Sequence, residues 1–417
     1  MPKHVVPRAL RAAGFTTRVL VPVLVVAACA ASYRAGVSHA SHMPPQSLPS
    51  STAAAAAAGF RTGSIGPWGQ LELLHVEIEP PPALILNLKG DDAPLWSFPG
   101  YTPDRVLRLL QQEGVTPAVL ASLPSDAWLT SPDGVALRVP LQFLLGLSSQ
   151  AREAIYAVLA QARENFSYHE PLIIEQAHLD ERLRTSGLSV DIQQTFRRLL
   201  YHSRGELVFA DYSPMLAWLR DDAARLRFSA MVVRKDTLLV RLRIAPTFDL
   251  DGIVRYWDAG HRGEPMRPLL EALARLPGGA DINIAYLLPA FASRHIFTYP
   301  DPSRPSDMMG DCFWSALNFF NDTPDGRFHD FEVIRQTLDR EYRPVEGPAQ
   351  FGDLVVLFAE RDRMPVHAAV YLADGVVFTK TGGVLVQPWI FMEQAEMERH
   401  YTYWSGPLIT RVLRRLP

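Results

Sequence analysis

The strongest constraint on this chain is a predicted hairpin of buried strands near its C-terminal end. Residues 368–372 form a short apolar run, and Asp374-Gly375 follows it almost directly. An Asp-Gly pair fits the two central positions of a tight hairpin turn, because both positions need positive φ angles. Residues 376–379 continue the apolar pattern, so we expect them to return antiparallel to the first strand. Residues 354–358 predict another buried strand.

A short helix is predicted to begin at Asp311, ahead of these strands. Asp is a good N-cap residue, because its side-chain oxygen can accept a hydrogen bond from a free backbone N–H of the first turn. The apolar residues that follow recur at helical spacing and can bury one face: Phe313, Ala316, Leu317 and Phe320. The partial positive charge of a helix N-terminus lowers the pKa of a thiol in the first turn. Cys312 is therefore a candidate nucleophile.

The candidate base is His367, at the start of the first hairpin strand. A thiolate needs a partner that can take and return a proton near neutral pH, and histidine is the side chain suited to this. We therefore expect the sulfur of Cys312 and an imidazole nitrogen of His367 to lie within about 4 Å of each other, allowing for the looser contacts of an empty site.

These motifs, in this order, resemble the NlpC-type cell-wall endopeptidases, a bacterial branch of the papain-like cysteine hydrolases. The likeness covers about residues 295–410. It rests on Asp-Cys at a helix start, on Gly-Asp-Leu-Val at 352–355 and on His-Ala-Ala-Val-Tyr-Leu-Ala-Asp-Gly at 367–375. The resemblance implies an α+β fold whose C-terminal domain packs a helix on an antiparallel sheet. It also implies that Cys312 is the nucleophile and His367 the base, with no metal or organic cofactor.

The resemblance further implies a third polar residue that orients His367. The corresponding position is Thr379, where the family has His, Asn or Gln, and a threonine hydroxyl can accept from an imidazole N–H. A backbone carbonyl or Gln387 are the alternatives. Lys380 could pair with a carboxylate of a peptide substrate, or be a solvated strand end. The Ser-Gly that usually follows the family's cysteine is replaced by Phe313-Trp314.

Residues 1–40 predict a signal peptide or membrane anchor. They contain several Lys and Arg residues, no acidic residue, and an apolar run at 19–31 that is too short to span a bilayer comfortably. Val26-Ala27-Ala28-Cys29 resembles the bacterial lipobox, in which the cysteine is lipidated. An uncleaved anchor, or ordinary cleavage nearby, is the alternative to lipidation of Cys29. Residues 41–69 are rich in Pro, Ser and Ala and predict a linker.

Residues 70–294 predict a mixed α/β region of unassigned fold, and residues 295–417 the hydrolase domain. Within the first region, residues 84–88 predict a short strand and Thr102-Pro103 the start of a helix. The upstream histidines, including His295, lack metal-ligand spacing and are expected to be surface or satisfied polar residues. The first region could recognise substrate, cover the cleft or bind a partner.

Charge and cysteine content narrow the classes of function. The net charge of −3 implies no nucleic-acid partner. The two cysteines, Cys29 and Cys312, exclude a disulfide framework and a zinc site made of cysteine clusters.

The sequence therefore predicts an exported, membrane-tethered protein of the bacterial cell envelope that hydrolyses amide bonds of peptidoglycan stem peptides. One competing hypothesis is an envelope binding or scaffold lipoprotein that keeps the fold but has a silent site. Another is an acyltransferase that uses the same two side chains.

Overall fold

The structure is a computed structural model that describes residues 59–416, with short gaps. The gaps are Lys89, Arg163, Glu170, residues 259–262, Pro302, residues 305–306, residues 308–309 and residues 383–385. The predicted export segment with Cys29, and most of the predicted linker, lie outside the described residues. Among the described residues, no helix has both the length and the apolar character needed to cross a bilayer.

The described part of the chain is α+β, as the sequence predicts. Its strands are β1 Arg61–Gly66, β2 Gly69–Ile78, β3 Leu95–Pro99, β4 Trp128–Ser131, β5 Gly134–Arg138, β6 Leu172–Ile173, β7 Tyr201–Ser203, β8 Glu206–Phe209, β9 Lys235–Ile244, β10 Ala280–Asn283, β11 Tyr342–Pro344, β12 Leu354–Ala359, β13 Pro365–Ala373, β14 Val376–Lys380, β15 Trp389–Glu393 and β16 Leu408–Arg415.

The helices connect these strands and cover the sheets. They are α1 Pro82–Asn87, α2 Pro103–Gln112, α3 Pro117–Leu120, α4 Leu141–Gly146, α5 Ser149–Leu159, α6 Phe166–His169, α7 Leu179–Thr185, α8 Val190–Leu199, α9 Tyr212–Trp218, α10 Asp222–Val233, α11 Leu250–Trp257, α12 Gly263–Ala274, α13 Ala290–His295, α14 Cys312–Leu317, α15 Phe331–Glu341 and α16 Gln394–Ser405. Short 3₁₀ turns lie at Gln176–His178, Ile284–Leu287 and Gly326–His329.

The named strands pair antiparallel throughout. One sheet has the order β1-β2-β9-β10, and a larger sheet has the order β11-β16-β12-β13-β14-β15. Two three-stranded sheets, β3-β5-β4 and β6-β8-β7, lie in the helical region between β2 and β9. The predicted hairpin is confirmed as β13 and β14, joined at Asp374-Gly375, and β12 pairs with the other side of β13.

The two faces of the six-stranded sheet are packed against different helices. On one face, Ser315 of α14 accepts a hydrogen bond from the indole N–H of Trp389 at 2.7 Å. On the other face, the ring of Tyr401 in α16 stacks on the ring of His367 with centroids 3.9 Å apart. Because successive side chains of a strand point to opposite faces, neighbouring residues of β13 and of β14 lie alternately on the face of α14 and on the face of α16.

The hydrophobic core beneath α14 continues past the predicted domain boundary at 294/295. It includes side chains of β2 and β9 as well as those of β13, β14 and α14. The edge of the six-stranded sheet meets β9 directly, where the hydroxyl of Thr237 donates to the carbonyl of Phe391 at 3.0 Å. A separate core fills the helical region, and a third lies between the six-stranded sheet and α16.

Two local predictions in the first region had opposite outcomes. Thr102-Pro103 begins α2, with the Thr102 hydroxyl accepting from the backbone N–H of Arg105. The strand predicted at residues 84–88 is wrong, because this stretch lies mostly in α1. Pro82 occupies the first helical position, where its fixed φ and missing N–H are favourable, and Leu84 and Ile85 are buried on one side of the turn.

Candidate functional site

The first turn of α14 is held by its own capping residue. The carboxylate of Asp311 accepts from the backbone N–H of Trp314 at 2.8 Å, which confirms the predicted N-cap. The Ser315 hydroxyl donates to the carbonyl of Asp311 at 2.6 Å, while its oxygen accepts from Trp389. The turn is therefore fixed against β15. Cys312 lies in this turn and is 6% exposed.

Strand register decides which polar residues face this turn. In the pairing of β14 with β15, Lys380 lies opposite Trp389, and Thr379 lies opposite Ile390. Trp389 packs in the core beneath α14, whereas Ile390 packs in the core beneath α16. Lys380 is therefore directed toward α14 and Cys312, and Thr379 toward α16.

Lys380 is fully buried beside the first turn of α14. Its ammonium donates to the carbonyl of Gly382 at 2.8 Å and lies 5.6 Å from the centroid of the Trp389 ring. Burial lowers the pKa of Lys380 to about 8, although negative charge on Cys312 and Asp311 acts in the opposite direction. The amine is thus close enough to the thiol and to the capping carboxylate to interact with both. The prediction that Lys380 is a solvated strand end is wrong, because its side chain enters the core.

His367 and Thr379 make the predicted contact with each other. The imidazole Nε2 lies 2.8 Å from the Thr379 hydroxyl, so a direct contact exists at the position where the family has its orienting residue. The ring of His367 is completely buried against Tyr401. Burial holds the pKa of His367 well below its ordinary value, and the neighbouring His400 lowers it further. His367 is therefore a neutral, enclosed side chain.

Cys312 and His367 do not meet. His367 pairs with Leu357 of β12, and Leu357 belongs to the core beneath α16, on the far side of the sheet from α14. The predicted distance of about 4 Å between sulfur and imidazole is therefore wrong, since the sheet separates the two side chains. Gln387, the alternative orienting group, accepts from the hydroxyl of Thr381 at 2.7 Å.

A second titratable pair, His295 and Asp307, lies on the α14 side and was missed in the sequence. Their closest atoms, His295 Nε2 and a carboxylate oxygen of Asp307, are 3.5 Å apart, and both side chains are buried. The ring centroid of His295 lies 4.6 Å from that of Trp389 and 6.0 Å from that of Trp314. His295 also stacks on Phe291, one turn earlier in α13, but its partner Asp307 and the two tryptophans lie outside that helix, so no local sequence pattern marks the pair.

The α14 side of the sheet thus combines a thiol, a buried amine and a buried imidazole–carboxylate pair. This set can support nucleophilic and proton-transfer chemistry. No group of three His, Cys, Asp or Glu residues able to hold a metal ion occurs in the part of the chain that the structure describes.

Comparison with known proteins assigns no relative to this chain. No known protein family matches it. No characterised protein matches it either, and the same holds for solved structures. The chemistry of the site must therefore be inferred from its own residues.

Proposed function

We propose that this chain is a thiol-dependent enzyme that transfers or hydrolyses acyl groups, with Cys312 as nucleophile and Lys380 as its proton partner. The observation that carries the proposal is the position of Lys380. It shares a sheet face with Cys312, and its pKa of about 8 lies where an amine can both give and take a proton near neutral pH. Strongly perturbed buried amines of this kind concentrate at functional sites.

The chemical steps follow from these two groups. The Lys380 ammonium stabilises the Cys312 thiolate, which attacks the carbonyl carbon of an amide. First-turn backbone N–H groups of α14 stabilise the oxyanion. When the C–N bond breaks, Lys380 gives its proton to the leaving amine and becomes neutral. It then takes a proton from water as that water attacks the thioester. The carboxylic acid leaves, and the thiolate and ammonium are restored.

The substrate class and the location belong to the same proposal. The resemblance to NlpC-type endopeptidases favours peptide amides of peptidoglycan, and the basic-then-apolar character of residues 1–40 favours export to the cell envelope. Cys29 would carry the lipid if the lipobox-like sequence is processed. If an added amine captures the thioester in place of water, the same residues give an acyltransferase.

A silent envelope binding protein is the second candidate, and two observations favour it. Cys312 is only 6% exposed and Lys380 is fully buried. A peptide can therefore reach the sulfur only if the residues packed over the first turn of α14 move. His367, the base that the family resemblance implies, lies on the other face of the sheet. In this alternative the thiol and amine are structural, and function lies elsewhere in the chain.

Alkylation of Cys312 by iodoacetamide, followed across pH by peptide mass spectrometry, tests the proposal. We expect the Cys312 thiol to react near pH 7 faster than free cysteine, because the ammonium of Lys380 favours the thiolate. In Lys380→Met the reaction should move to higher pH by about one unit or more, whereas His367→Gln should leave the profile unchanged.

Three results would contradict the proposal. One is an unreactive thiol in the native protein, which would favour the silent binding protein. Another is a shift in the profile with His367→Gln but not with Lys380→Met, which would restore the histidine as the partner. The third is a reactive thiol that releases no product from peptidoglycan stem peptides, with or without an added amine.

A further inference from the structure

A cavity of about 470 Å³ with both polar and apolar walls lies beside α16, between that helix and the helical region. Its wall includes Lys235 at the start of β9 and, from α16, Glu396, His400 and Trp404. Thr381 and Gln387, just after β14, also line it. A cavity of this volume is within the range that encloses most of a small ligand.

The arginines that line the cavity are already neutralised by carboxylates. Arg234 contacts Glu77 at 2.8 Å and also pairs with Glu79. Arg182 lies 2.9 Å from the other carboxylate oxygen of Glu77 and 3.4 Å from Glu175. These five residues pair with one another, and their three carboxylates outnumber the two guanidinium groups, so the arginines offer little positive charge to a ligand.

Lys235 and Glu396 differ from this network. Within the described residues, neither side chain makes a hydrogen bond or an ion pair, although both line the cavity. They are nevertheless close enough to interact electrostatically, because the charge of Glu396 raises the pKa of Lys235 against the larger lowering by burial. The cavity therefore presents one lysine, Lys235, together with the carboxylate of Glu396 and that of the exposed Asp236.

Three further polar side chains of the wall, His400, Gln387 and Trp404, are neutral. Burial and the charge of Lys235 lower the pKa of His400 to about 3, so its imidazole is uncharged at pH 7. Gln387 accepts from Thr381 through its amide oxygen, and its amide N–H groups make no hydrogen bond to a described residue. The indole of Trp404 adds an aromatic wall. Neutral donors beside a lysine and nearby carboxylates fit a ligand that carries both charges.

We propose that this cavity binds a short peptide as a zwitterion, with its carboxylate at Lys235 and its ammonium at Glu396. Charge-assisted hydrogen bonds to each end set the orientation, and Trp404 packs against the peptide between them. A polyphosphate ligand fits less well, because the two arginines are occupied by Glu77, Glu79 and Glu175. The inference does not depend on the thiol chemistry, since Cys312 lies on the other face of the six-stranded sheet.

Calorimetric titration of the full chain with dialanine, N-acetyl-dialanine and dialanine amide tests the inference. We expect saturable binding of dialanine and a loss of affinity on the order of tenfold or more when either end is blocked. Lys235→Met should remove the preference for a free carboxylate, and Glu396→Gln the preference for a free amine. Arg399→Gln, at an exposed position of α16, is the matched control and should bind as the unaltered protein does.

Two outcomes would overturn the inference. In one, dialanine does not bind, although far-ultraviolet circular dichroism shows that the protein is folded. In the other, blocked and free peptides bind equally well. Cys312→Ser should keep the binding unchanged, so a failure of peptide binding and a failure of the thiol proposal are distinguishable.

Discussion

Replacing Lys380 by Met should stabilise the fold at pH 7. Lys380 is fully buried, and its pKa falls from the ordinary value of 10.5 to about 8. Each pKa unit corresponds to about 1.4 kcal/mol, so keeping this ammonium charged in the folded state costs about 3 kcal/mol at pH 7. Met has a similar length and no charge, so the variant removes that cost and leaves little cavity.

The sign of the pH dependence follows from proton binding. Between about pH 8 and pH 10.5, the unfolded chain binds a proton at Lys380 that the folded chain has lost. The stability contributed by this residue therefore rises with pH in that window. The advantage of Lys380→Met over the unaltered protein should shrink by about 2–3 kcal/mol between pH 7 and pH 10.

Urea unfolding at pH 7 and pH 10, followed by tryptophan fluorescence, measures this difference. Comparing the two proteins at each pH cancels the ionisation of tyrosines, which affects both equally. The exposed Arg399→Gln substitution serves as control and should show no pH-dependent difference. A Lys380→Met advantage that is the same at both pH values would refute the reasoning, because it would mean that Lys380 is not held in a low-dielectric site.

Two further substitutions test other buried polar groups. Thr379→Val keeps the shape of the side chain but removes the hydroxyl at 2.8 Å from His367 Nε2, so we expect a loss of about 1–3 kcal/mol in urea unfolding; exposed Thr402→Val should cost almost nothing. Burial raises the pKa of Asp211 to about 6 from 3.8, so its contribution to stability is present below about pH 4 and lost as pH rises through 6. Asp211→Asn should abolish that loss, and the stability difference between the two proteins should change by up to about 3 kcal/mol between pH 4 and pH 7.

Much of the site's local structure could be predicted from neighbouring residues. The Asp-Gly pair at 374–375 specifies the hairpin turn, and Asp311 specifies the start of α14. The contact of His367 with Thr379 also follows from local pairing, because the hairpin register brings the two onto adjacent strands and onto one face. The secondary structure of residues 84–88 could not be predicted in this way, since a short apolar run fits a buried helix as well as a strand.

The sequence by itself therefore determined the hairpin, the capped helix and the histidine–threonine contact, each of which depends on residues close in the chain or in register. Only the tertiary structure decided that Lys380, and not His367, shares a face with Cys312. The alternation of side chains along a strand predicts which residues share a face of the sheet, but it does not predict which face α14 packs against. That choice depends on packing between distant segments, such as Phe319 against Phe378 on one face and Tyr401 against His367 on the other.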